Sequence, residues 1–115
     1  MDKQNMKKAI TSMLKKATGI NVYYLAAPIN VEYPYIVFNV RERYLTEGLY
    51  MNSLSVDIYA TDIKTADTIE DKVKTINDTC YTDRYVSFDV ELNTVNTLKD
   101  ESIYHINLLF YLDLY

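Results

Sequence analysis

The chain has little of what usually arms or punctuates a protein. Its 115 residues include two glycines, two prolines, one cysteine and one histidine. With Gly19 and Gly48 as the only glycines, no glycine-rich loop can cradle a phosphate. Cys80, standing alone, excludes an internal disulfide and a thiolate zinc cluster. No apolar run approaches the roughly 20 residues of a membrane span. The start, MDKQNMKKAI, is polar and has no apolar signal-peptide region. A basic stripe is missing too. Net charge is −4, and residues 1–17 set five lysines against Asp2, a local +4 that leaves −8 on the remainder. An acidic body argues against a dedicated nucleic-acid binder, and the lysines read as the solvated face of a helix. These absences describe a soluble single domain over 1–115, made in a cytoplasm, with no membrane association and no cofactor.

What is present is apolar periodicity. The pivotal stretch runs from Asn52 to Asp78. Leu54, Val56 and Ile58 alternate with Ser53, Ser55, Asp57 and Tyr59, the period of a half-buried strand. After Thr61-Asp62 the spacing changes, and Ala66, Ile69, Val73 and Ile76 fall on one helical stripe. Asp62 suits the N-cap, Asp67 the positive end of the helix dipole, and Glu70–Lys74 an i,i+4 pair. Cys80 extends the stripe and is expected to be a small buried apolar residue.

The same reading gives a first helix over Lys3–Thr18, with Met6, Ile10, Met13, Leu14 and Ala17 inward and Gly19 as its stop. Short strands are expected at Asn21–Leu25, Tyr35–Tyr44 (opened by Pro34), Val86–Leu92 and Ile103–Tyr115. Leu45–Tyr50 reads as a turn or longer loop, Cys80–Arg84 as a loop, and Asn93–Ser102 as polar and turn-like. The fold class is α+β: a mostly antiparallel sheet with two helices packed on one face, in the order α-β-β-β-α-β-β. Parity leaves a second sheet face carrying Tyr35, Val37, Tyr59, Leu109 and Tyr111 beside Arg41, Asp57, Asp89 and Asp113. A mixture of aromatic and charged groups suits a protein–protein surface, and twelve tyrosines point the same way.

No catalytic constellation assembles. His105 lies on the outer parity of the last strand without a nucleophile in a recognisable motif, and reads as structural or exposed. Asp57, Asp89, Glu91 and Asp113 share that parity, but no ligand-loop spacing supports a metal, so they read as solvated strand residues. No catalytic, metal or cofactor-binding residue is assigned. A small dimeric α+β ligand-binding or regulatory domain is the alternative from another class, and an enzyme is remote.

Tyr24-Leu25-Ala26-Ala27-Pro28, followed by Tyr33-Pro34-Tyr35-Ile36-Val37-Phe38, resembles the tail completion, or tail terminator, proteins of long-tailed bacteriophages and prophages. Ser55-Val56-Asp57-Ile58-Tyr59-Ala60, the helix from Thr65 to Ile76 and the closing strand Ile103–Tyr111 continue the likeness in order over nearly the whole chain. Residues 80–100 match nothing particular, and the loop after Tyr44 is shorter than in some members.

The resemblance implies a non-enzymatic virion protein at the head–tail junction. It implies a ring, usually a homohexamer, that caps the tail tube protein, meets a head-completion or connector protein, and lets DNA pass in transit. Another head–tail connector subunit is the nearest alternative. The sign-alternating segment Arg41, Glu42, Arg43, Tyr44 and Glu47, with Tyr59 and Tyr111, is the expected subunit interface. Asp57, Asp89, Glu91 and Asp113 are the expected lumen-facing acids, where they would repel phosphate.

Overall fold

A computed structural model describes residues 3–115, and at Tyr44, Leu45, Leu49 and Tyr50 it describes the backbone alone. The elements are α1 (Lys3–Thr18), β1 (Asn21–Tyr24), β2 (Tyr35–Thr46), β3 (Leu49–Ala60), α2 (Ile63–Lys74), β4 (Cys80–Thr82), β5 (Ser87–Asp100) and β6 (Ile103–Leu114). Six strands form one sheet in the order β1-β2-β3-β6-β5-β4. Every neighbouring pair is antiparallel except β1 and β2, which run parallel. The expected α+β architecture stands, with the short β4 added.

Helix positions follow from the two stripes. Met6, Ile10 and Leu14 of α1 are fully buried, as are Ala66 and Val73 of α2, with Ile69 close behind. They meet the even-numbered sheet residues Ile36, Phe38, Leu54, Val56, Ile58, Ile106, Leu108 and Phe110, all without exposed surface. Gly19 adopts φ +72 and donates its N–H to the Lys15 carbonyl at 2.8 Å, closing α1 in the left-handed conformation that glycine takes without strain. At the start of α2, the Asp62 carboxylate accepts from the Thr65 N–H at 3.0 Å and the Thr65 hydroxyl at 2.6 Å. These bonds hold its pKa below the usual carboxylate range. Asp67 lies beyond the first turn, past the reach of the helix dipole. Glu70 and Lys74 pair at 2.7 Å on the wet side.

Besides β4, which stands where a loop was expected over Cys80–Arg84, and α2, which ends at Lys74 rather than Ile76, three sequence expectations change. Strand β2 continues to Thr46 and β3 begins at Leu49, so the supposed loop is a tight turn at Glu47-Gly48, with Gly48 at φ +70. Arg41, Glu42 and Arg43 are exposed beyond the helices, so this part of the hairpin has no buried face to impose apolar alternation. Asn93–Asp100 is strand rather than turn. A bulge shifts the pairing between Leu92↔Phe110 and Thr94↔Leu109, which inverts parity and breaks the pattern that identified the strand. Cys80 is exposed in β4, not buried on the α2 stripe. The helix ends at Lys74, and Asp78 at φ +59 turns the chain out of the helical path before Cys80.

Candidate functional site: the outer face of the sheet

The face opposite the helices is organised by strand register. One row crosses the sheet as Tyr35↔Tyr59↔His105↔Leu98. Its rings stack, Tyr35 on Tyr59 at 5.0 Å and Tyr59 on His105 at 4.4 Å between centroids, and Tyr33 lies tilted against Tyr35 at 5.3 Å. Tyr23 of β1 meets the Tyr35 ring edge-on at 6.3 Å. Burial within this row, with Asp57 adding a smaller effect at Tyr59, raises the phenol pKa values of Tyr35 and Tyr59. The two phenols therefore stay uncharged at neutral pH.

The next row is polar and closed on itself. Asp57 Oδ1 accepts from Asn107 Nδ2 at 2.9 Å and lies 2.7 Å from His105 Nε2. Asn107 Nδ2 also reaches Ser55 Oγ at 2.9 Å. His105 thus has the orienting carboxylate that the sequence did not reveal. Its Nε2 is committed to Asp57, and the nearby Ser55 hydroxyl serves Asn107. The hydroxyl–imidazole pair that activates a serine nucleophile is not formed between Ser55 and His105. These groups bond one another at one end of an open hollow that Asn39, Arg41, Ser53, Asn93 and Tyr111 line at the other.

The four outer acids do not share one place. Asp89 pairs in register with Asp113, and Glu91 with Tyr111 beside them. Together with Asp78 and Cys80 these three acids line one open hollow. Asp57 is level with Asn107, six residues from Asp113 along β6 and so roughly 20 Å away. Within the acidic end, Tyr115 donates to Asp89 at 3.2 Å and its hydroxyl contacts the Cys80 thiol, which raises the Tyr115 pKa. Among the described residues no three of His, Cys, Asp and Glu converge as a metal ion would require.

The seven interface candidates divide similarly. Arg41 and Arg43 lie on the outer face of β2, Glu42 on the opposite face, and Glu47 at the turn, all exposed. The Tyr44 side chain lies outside the described residues. Tyr111 shares a row with Arg41, Ser53 and Glu91, whereas Tyr59 belongs to the aromatic row at the other end. The aromatic row and the Asp57 network were missed because they join different strands, Tyr35 to Tyr59 across one hairpin and Asp57 to His105 across 48 residues of chain. Matching the parities of β2, β3 and β6 could have found them.

No protein-family model and no curated protein matches the chain. Solved structures do match in fold. One is a chain of the virion of a native gene transfer agent particle, 11% identical with a TM-score of 0.63, aligned over 90% of this chain and 84% of that one. A second solved chain aligns over 96% of this chain and 90% of its own length, 9% identical with a TM-score of 0.69. The protein shares its fold with both.

Proposed function

We propose that this chain is a non-enzymatic structural subunit of a bacteriophage or phage-like particle, acting as a tail terminator. Copies close into a ring that caps the tail tube and joins it to the head, with DNA passing through. The observation that carries this reading is the fold shared with a chain of the gene transfer agent virion over 90% of the present one. It agrees with the resemblance carried by Tyr24–Pro28 and Tyr33–Phe38. The outer face supports a scaffold rather than a reaction centre, because the Ser55 hydroxyl beside its one histidine is bonded to Asn107 and not to the imidazole. Turned toward the bore, Asp89, Glu91 and Asp113 would repel phosphates and keep DNA from sticking.

Light scattering over a concentration series, alone and with tail tubes, tests the proposal. A closed ring, or a monomer that binds tube ends, supports it. A stable dimer indifferent to tubes overturns it in favour of a ligand-binding or regulatory domain.

A further inference from the structure

The two edges of the sheet are stepped, and the steps are complementary. On one edge β1 covers only Tyr35–Phe38 of β2, leaving 39–46 without a strand beside it. On the other, β4 covers Ser87–Asp89 of β5. Backbone bonds from Asp78 and Thr79 to Val90, and one from Leu92 to the Asn77 side chain, extend that cover to Leu92. Among the described residues, no strand lies on the open side of 93–100. Register places both edges on one scale. Asn21–Tyr24 is level with Tyr35–Phe38 and, through β3 and β6, with Val95–Leu98 of β5. Cys80 is level with Asp89 and Asp113, one step past the Leu112↔Asn52↔Glu42 row, and so with Arg43. The covered part of each edge stands at the height of the bare part of the other.

We propose that copies of this chain join edge to edge: β1 of one copy lies antiparallel along Val95–Leu98 of the next, whose β4 lies parallel along β2 at Arg43. The two segments then follow one another in one column, since β1 with Leu25 ends level with Asn39 while the cover that Asn77–Thr79 add to β4 begins level with Val40. The inference rests on the ring reading and supplies its joint.

Hydrogen-bond phase agrees at both ends. Leu25 donates to the Phe38 carbonyl, so Val22 and Tyr24 turn their N–H groups away from β2, while Glu42 and Tyr44 turn their backbone groups to the open edge. Val90 exchanges bonds with Asp78 and Thr79, so Cys80 and Thr82 face outward on β4, and past the bulge Val95 and Thr97 face outward on β5. In the joint Val22 opposes Thr97 as a doubly bonded antiparallel pair. Cys80, opposite Arg43, donates to the Glu42 carbonyl and accepts from the Tyr44 N–H, as a parallel pair requires. About seven backbone hydrogen bonds complete each joint.

Charge selects the orientation. The bare edge of β2 carries Arg41 and Arg43 on the outer face, and the β4 side carries Asp78, Asp89, Glu91 and Asp113. Charges on a free edge guard against indiscriminate pairing. Opposite signs on the two edges disfavour β2 against β2 and admit β2 against β4. Such a contact is heterologous, so it repeats head to tail until it closes.

The test is disulfide trapping with copper–phenanthroline, read on non-reducing gels, of protein alone and on tail tubes. Residues level across a strand pair are about 4.8 Å apart, within the Cα spacing that a disulfide takes. Arg43→Cys should link to the native Cys80 of a neighbour, giving a reducible ladder that vanishes when Cys80→Ser is added. Glu42→Cys, on the other face, should give none. Asn21→Cys with Leu98→Cys, in a Cys80→Ser background that keeps both arginines, should give a second ladder. Rings or capped tubes in micrographs without either ladder overturn the joint and leave the ring reading standing. A ladder from one pair alone overturns the two-strand register. A monomer under every condition overturns both readings.

Discussion

The two faces of this sheet are written by alternate residues of the same strands, yet they are held together differently. Toward the helices, Phe38, Val56, Ile58, Leu108 and Phe110 are wholly buried, and stability comes from apolar area removed from water. On the opposite face, Tyr35, Tyr59, His105, Asp57 and Asn107 are half-buried and satisfied by one another. The contrast teaches that the inner face fixes whether the chain folds. The outer face and bare edges are free to determine what it joins.

The severest challenge to this contrast is a charge in the core. Val73→Asp buries an unpaired carboxylate between α2 and the sheet and should cost several kcal/mol, lowering Tm by more than about 10 °C or preventing folding. A Tm equal to the parent's would show that the assigned inner face is wrong. Removing the middle of the aromatic row should matter less. Tyr59→Ala loses two ring contacts on a partly exposed surface, about 1–2 kcal/mol in denaturant melts. A loss as great as for Val73→Asp would erase the distinction between the faces.

Smaller still is the cap of α2. The folded-state pKa of Asp62 is depressed, so its stabilising contribution is present above the unfolded value near 3.8 and is lost as pH falls through the folded one. Asp62→Asn should therefore flatten the acid limb of the stability–pH curve while changing Tm little at neutral pH. An unchanged acid limb would show that the carboxylate contributes nothing through its bonds to Thr65. At the bare edge the effect on folding should be nearly zero, within about 0.5 kcal/mol. Arg41→Glu with Arg43→Glu should leave the monomer's Tm alone and yet impair assembly by sedimentation. Unchanged oligomer mass would remove these arginines from the joint.

The sequence made the buried half of the fold legible and the exposed half obscure. The boundaries of α1 follow from the Met6–Ile10–Leu14 stripe and Gly19, and the start of α2 from Asp62, whereas its end, expected at Ile76, comes at Lys74. The hairpin end at Arg41–Thr46 and the strand after Asn93 did not announce themselves. Helices cover neither, so neither needs apolar residues at every second place. Cys80 illustrates the reverse error: its spacing fits a helical stripe, but the helix had ended by Lys74. Of the candidate site, outer parity was correct for Tyr59, Tyr111 and the acids, while their grouping was not visible.

By itself, the sequence determined the two helices and the inward set of each core strand, because burial imposes a local period on the chain. Tertiary structure alone decided the strand order, the parallel placement of β1, the His105–Asp57 contact and the stepped edges. Those depend on register between strands far apart in the chain, and no local period encodes which strand lies beside which.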